Sequence, residues 1–265
     1  MKTWLFAILE AGIAVAGLAA YFWGDNVALA GAAAVLAAML GIAHQLMGAF
    51  AGSRRRGYQE GMIDSSVASV DEQIDQLQAE VTDVPPPHRE TVSAVLQMNF
   101  GDQSKTLGEQ YDRVIRAIEA KSFAAEELAA ALADKMRDHP LAIHLLGMAA
   151  LSQDNYADAH THFEQVTQDR PSWISPWLGW ATSAWHLQRM EEITERHPHV
   201  NSIQHTPYDV GDEQTFIDLA EDVRDALVEQ FQATAQALGK FYTMAEFSKS
   251  KVKIEESRER LRRAA

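Results

Sequence analysis

Three histidines, His197, His199 and His205, stand close to Asp209 and Asp212. Imidazoles and carboxylates are suitable ligands for a transition-metal ion, so this stretch is the sequence's candidate metal site. It is a weak one, because its spacing matches no established zinc pattern and no His pair at i, i+4 brackets a glutamate base. The chain has no Cys, which removes thiolate metal sites, iron–sulfur clusters, disulfides and cysteine nucleophiles. No phosphate-binding glycine loop and no GxSxG elbow occurs. Carboxylate pairs are too numerous in so acidic a chain to point anywhere. The residues therefore predict a binding protein, not an enzyme, with no resident cofactor or metal.

Two other ionisable residues stand out by their surroundings. Glu10 lies inside the apolar run 4–23, and His44 lies inside the apolar run 27–51. Each run is long enough, at about 1.5 Å per residue, to cross a hydrocarbon layer of roughly 30 Å. Only Gly24-Asp25-Asn26 separates them, which predicts a tight transmembrane hairpin over residues 1–57. A cleaved signal peptide is the competing reading of the first run. Glu10 and the second run three residues later argue against it. In antiparallel spans Glu10 and His44 come to similar depth, where an ion pair or hydrogen bond is expected; two groups are too few to define a proton conduit. Trp4 and Tyr21-Phe22-Trp23 supply interfacial aromatics. Gly12, Ala16 and Ala20, and again Ala33, Ala37 and Gly41, form smooth faces for close helix packing.

Charge divides the 265 residues unevenly. The formal charge of −14 hides a net +2 over residues 1–57, −20 over 58–248 and +4 over 249–265. Lys2 before the first run and Arg54-Arg55-Arg56 after the second place both ends on the cytoplasmic side by the positive-inside tendency. The expected location is an integral membrane position, such as the bacterial inner membrane, with the soluble body cytoplasmic. A body at −20 repels phosphate backbones, so no nucleic-acid partner is expected.

After the arginines, Ile63, Val67, Val70, Ile74, Leu77 and Val81 recur at heptad spacing. They predict a stalk helix over 58–83, either self-associating as a coiled coil, with a possible homo-oligomer, or packing its stripe on the body. Pro85-Pro86-Pro87 makes 84–88 a semi-rigid linker. Helices are then predicted over 89–99, stopped at Gly101, and over 104–120, 123–137, 141–152, 156–169 and 174–187. No stretch alternates with the period of a strand. The fold class is all-α.

Residues 140–173 carry a more specific pattern. Ile143, Leu146, Gly147, Ala150 and Leu151 share one helix face, Asp154-Asn155 make a turn, Tyr156, Ala159, Phe163 and Val166 line the next helix, and Pro171 ends it. This resembles a tetratricopeptide repeat, in which small residues, here Gly147 and Ala159, let two antiparallel helices touch. Trp177, Trp180, Ala181 and Ala184 follow in phase, one repeat length beyond Ile143, Leu146, Gly147 and Ala150. The partner helix of that unit is not legible: 189–195 is short, and the stretch from His197 to Asp212 reads as a loop. Residues 104–137 have a helix-pair pattern but lack the glycine and proline, so they are a divergent unit at most.

The resemblance implies a TPR-like α-solenoid over 89–211 that binds proteins and supplies no catalytic group. The subtype that clamps a terminal carboxylate with Lys and Asn is not matched, since His144, Leu145, Met148, Leu178 and Thr182 stand at those places. A groove lined by His144, Met148, Trp177 and Trp180 would favour an apolar or amphipathic protein ligand, but the same aromatics suit a core, and core is the preferred reading. Residues 212–248 predict a long helix that caps the solenoid or pairs with the stalk. The basic tail, 249–265, is expected to be frayed or helical, and to be solvated or to touch anionic lipid. The function so expected is a membrane-anchored adaptor or scaffold; an accessory subunit of a membrane complex and a homo-oligomeric pore-forming or membrane-shaping assembly are the alternatives.

Overall fold

The computed structural model describes residues 56–81, 86–87, 89–203 and 218–263. All regular structure among them is helical. The apolar runs 4–23 and 27–51, with Glu10 and His44, lie outside the described residues, as do His205, Asp209 and Asp212. No helix among the described residues is long and apolar enough to cross a membrane. The helices are α1 (Arg56–Glu80), α2 (Arg89–Phe100), α3 (Ser104–Glu119), α4 (Ala124–Lys135), α5 (Pro140–Ser152), α6 (Tyr156–Asp169), α7 (Ile174–His186), α8 (Met190–Val200) and α9 (Glu221–Arg263). Two compact units result, one of Gln76–Glu246 and one of Met1–Asp75 with Phe247–Ala265.

Within Gln76–Glu246 the helices α3 to α8 form three successive hairpins, and one turn closes all three. Lys121, Asp154 and Gln188 each adopt a left-handed backbone, with φ of 48°, 58° and 60°. Around each, two backbone bonds repeat: Lys121 and Ser122 donate to Ile118 and Ala117, Asp154 and Asn155 to Leu151 and Ala150, Gln188 and Arg189 to Trp185 and Ala184. These are the paired bonds of a Schellman cap, which satisfy carbonyls that the helix end leaves open. The left-handed positions fall at 121, 154 and 188, so the two intervals between them agree to within a single residue. The first helices of the hairpins also pack on one another, α3 on α5 and α5 on α7, while every helix from α2 to α8 packs on its neighbour in sequence.

Helix α5 starts on Pro140, whose missing N–H costs nothing in the first turn, and His139 Nδ1 accepts from the Leu141 N–H at 3.3 Å. Gly101 stops α2 with φ of 48° and leads through a short 3₁₀ turn, Gly101–Gln103, into α3.

One expectation changes and another is narrowed. The stretch from 190 to 200 is helix α8, although Pro198 lies inside it. Its only buried residue is Ile193, so an apolar periodicity could not announce it. Lateral contacts hold it instead: the His197 ring stacks on Tyr242 at 3.5 Å, and His199 lies 5.3 Å from Trp177. The basic tail, in turn, takes the helical form of the two expected, through Arg263, as the continuation of α9, which runs 43 residues or about 65 Å. A reversal of charge does not break a helix, and Arg260–Glu256 and Arg263–Glu259 support the last turns at i, i+4. Phe241, 6.5 Å from Trp185, and Tyr242 seat the α9 part of this unit on the last hairpin. Lys240 Nζ bonds the Glu80 carbonyl at 3.2 Å and its carboxylate at 3.3 Å.

In the other unit, α1 and the end of α9 run antiparallel. Lys251 Nζ contacts Asp71 Oδ1 at 2.7 Å, and Arg258 Nη2 contacts Asp64 Oδ1 at 2.8 Å. The partners advance by two turns along both helices in opposite directions. Hydrogen bonding to Asp71 is the chief reason the Lys251 ammonium titrates above its ordinary value. Ile63, Val70 and Ile74 of the heptad stripe are buried, as are Phe247 and Ile254 of α9. The stripe is thus covered within one copy of the chain. A charge at Val70, which has no exposed surface, has nowhere to go. Val70→Asp is expected to open this pair at a cost of about 3 kcal/mol or more while the hairpins stay folded. Hydrogen exchange reads it as lost protection over 63–75 and 247–258 alone; unchanged protection there would refute the pairing.

Candidate interaction site

The candidate groove residues are core. His144, Met148, Trp177 and Trp180 are all buried, and most residues of α5 and α7 are buried with them. Of the two readings these residues allow, groove lining and core, the structure shows the core that the sequence favours: the faces of α5 and α7 carrying these side chains are consumed by packing. Trp177 Nε1 donates to the Pro171 carbonyl at 2.9 Å, which tethers the link between two hairpins. Its ring meets Trp180 edge-on at 5.7 Å.

The packing turns on Phe163, a fully buried ring on α6. A Cβ at Gly147 would lie 2.8 Å from this ring, and one at Gly179 only 2.3 Å from it. The sequence pairs Gly147 with Ala159 as the small residues of the contact; that Gly147 lies against the Phe163 ring is a finding of the structure. Gly179 was not singled out, because it does not occupy a repeat position noted for small residues. His144 stands beside the same ring at 5.6 Å and beside Trp173 at 4.7 Å. Neither of its nitrogens has a hydrogen-bond partner, and complete burial holds its pKa down at about 3.

A second polar group went unnoticed in the sequence. His160, on α6, directs Nδ1 to Ser183 Oγ of α7 at 3.2 Å, while Nε2 lies 3.4 Å from Glu192 of α8 and 3.8 Å from Glu164. The Ser183 hydroxyl donates to the Trp180 carbonyl at 2.8 Å and is fully buried, so it is a helix-binding group and no nucleophile. Burial lowers the His160 pKa first, Arg189 next, against the opposing pull of Glu192 and Glu164. Arg196 contacts Glu164, and Arg189 contacts Glu192, each at 3.5 Å. The cluster bolts three helices together. Its one sequence signal was the i, i+4 spacing of His160 and Glu164.

His197 is half-buried against Tyr242, and His199 Nε2 faces the Pro171 carbonyl at 3.3 Å. No group of three His, Cys, Asp or Glu side chains among the described residues is arranged to hold a metal ion.

What the hairpins leave open to solvent is of mixed charge, with bases such as Lys121 and Arg116 among the carboxylates, and carries one large exposed apolar side chain. Phe123, in the turn between α3 and α4, is 93% exposed. Glu119 and Glu127 beside it are exposed as well. Glu126 of α4 and Asp158 of α6 both act on His162, so the acidic surface continues from one hairpin to the next. An exposed ring within a negative field can seat an apolar side chain flanked by bases. No protein family, curated protein or solved structure matches the chain.

Proposed function

We propose that this chain is a membrane-anchored, tetratricopeptide-like scaffold that recruits or assembles proteins at the cytoplasmic face of a membrane, acting by binding and not as an enzyme. One observation carries the reading: three helical hairpins are closed by the same turn, at Lys121, Asp154 and Gln188. That near-constant interval agrees with the period of a tetratricopeptide unit, a helix–turn–helix of about 34 residues. The Gly147–Phe163 contact supports it. Anchoring rests on the apolar runs 4–23 and 27–51 and the bases beside them.

With the inner faces of α5 and α7 buried, the partner docks on the open acidic face around Phe123, and its chemistry is that of a basic or amphipathic segment. Phe123→Ala with Glu126→Gln and Glu127→Gln is expected to cost about 1 kcal/mol, because both carboxylates stand in the first turn of α4, and to leave the hairpins folded, while co-purifying proteins are lost from the full chain in mild detergent. The same partners on wild type and variant would sink this surface. Recovery of the chain in the aqueous fraction without detergent would sink the anchoring. The small-residue faces Gly12/Ala16/Ala20 and Ala33/Ala37/Gly41 favour a second reading, an accessory subunit whose spans pack on those of a larger membrane complex.

A further inference from the structure

The three turns share one edge of the hairpins. Gln153 Nε2, at the second turn, donates to the Ser122 carbonyl of the first at 3.3 Å. Tyr156, just past the second turn, stacks on His186, just before the third, with ring centroids 4.0 Å apart and planes 5° from parallel. Aromatic rings therefore stand along this edge at two places: Phe123 at the first turn, and the Tyr156–His186 pair between the second and third. Phe123 and His186 are exposed, and Tyr156 is half-buried.

The charges that accompany these rings are unequal. Residues 116–127, 152–158 and 186–192 hold seven carboxylates against three bases, Arg116, Lys121 and Arg189, and Arg189 is already engaged by Glu192. Around the second turn the imbalance is complete: Asp154 and Asp158 are exposed, and no base stands within 152–158. Asp154 Oδ1 accepts from the Tyr156 hydroxyl at 2.8 Å, and Asp158 Oδ2 accepts from Asn155 Nδ2 at 2.7 Å. Each carboxylate keeps a second oxygen for a further donor. Stacked rings with a carboxylate at their edge make a seat for a planar cation. The ring faces carry negative potential, a guanidinium lies flat on them, and its N–H fork reaches the carboxylate at the same time. An ammonium is compact and strongly hydrated and gains less there.

We propose that the turn edge is a two-point docking surface for an extended, arginine-bearing segment of a partner protein. An apolar side chain of that segment rests on Phe123, and an arginine stacks on the Tyr156–His186 pair with Asp154 beside its charge. Neighbouring hairpins stand one to two helix diameters apart, about 10–20 Å, which an extended chain covers in about three to six residues. The excess of carboxylates along the edge matches a basic segment. The docking surface rests on the binding reading proposed above and names what that surface selects: guanidinium over other cations, at a place separate from Phe123.

The probes are fluorescein-labelled peptides with one leucine and one arginine set about three to six residues apart, and their anisotropy is read on the full chain in mild detergent. Wild type should bind the peptide about threefold more weakly with lysine in place of the arginine, and on the order of tenfold more weakly with citrulline, which keeps the shape and loses the charge. His186→Ala should erase the preference for arginine over lysine. Asp154→Asn should reduce the preference over citrulline to about threefold, asparagine being tolerated in the left-handed turn. Phe123→Ala should erase the preference for leucine over serine in the peptide and leave the arginine preference in place. Equal binding of arginine and lysine peptides by wild type, or a preference that survives His186→Ala with helix content unchanged, would overturn the seat. If Phe123→Ala still acts in that case, the surface around Phe123 stands without it. Binding of none of the peptides would overturn the seat and the basic-partner reading together. A mass of the chain that rises with concentration and falls back with Asp154→Asn would give the edge to a second copy and overturn the docking surface as well.

Discussion

Replacing His144 with Leu is expected to flatten the acid limb of the stability curve by about one proton. The His144 ring is completely buried with a pKa of about 3, whereas in the unfolded chain an imidazole titrates near about 6.5. Between those values the unfolded state binds a proton that the folded state refuses. Stability therefore falls as pH drops from about 6.5, at about 1.4 kcal/mol per pH unit. Above that window neither state is charged and the effect vanishes; below about pH 3 the loss is complete. His139, His160, His162 and His197 are also held below their ordinary values, burial being the first cause in each. They act in the same direction, so the variant keeps an acid limb but a shallower one. Urea melts of the full chain at about pH 7.5 and about pH 5 should show the variant losing on the order of 2 kcal/mol less than wild type. At the higher pH it should be no less stable, because two unpartnered buried nitrogens are gone. Parallel pH profiles would contradict the burial of this imidazole.

Gly179→Ala is the companion test of packing. The new methyl would sit 2.3 Å from the Phe163 ring, closer than atoms can approach. The ring cannot retreat, because Gly147 already lies against it on the other side. Overpacking costs of about 1–3 kcal/mol are usual, and a ring held from two sides places this change at about 3 kcal/mol, a fall in Tm of roughly 6–12 °C for a unit of this size. Gly147→Ala, with its contact at 2.8 Å, should cost less. Phe163→Leu in the Gly179→Ala background should recover part of the loss, since two substitutions in contact do not add. A Tm indistinguishable from wild type for Gly179→Ala would show that the ring has room.

The helical body was legible because its signals are local. Apolar spacing, Gly101, Pro140, the Asp154-Asn155 turn and Pro171 mark α2 to α7 close to their observed ends. Even the hairpin turns have a sequence trace, since each cap closes on the carbonyl of an alanine: Ala117, Ala150 and Ala184. Helix α8 was hidden because Pro198 and a single buried side chain give it no local preference. It exists because Tyr242 and Trp177 receive its histidines.

By itself, the sequence determined an all-helical body, a recurring helix-pair pattern, two apolar runs at the N-terminal end and a separation of acidic from basic charge. These depend on side-chain periodicity and charge along one segment, which need no partner to be read. Only the tertiary structure decided that His144, Met148, Trp177 and Trp180 are core and not groove. Only it decided that the stalk stripe is met by α9, and that Lys251 and Arg258 are spent on Asp71 and Asp64 while Arg260 and Arg263 stay exposed. An apolar or charged face looks the same in sequence whether another helix or a partner covers it. Which one does depends on contacts between residues far apart in the chain, such as Asp71 with Lys251 and Asp64 with Arg258.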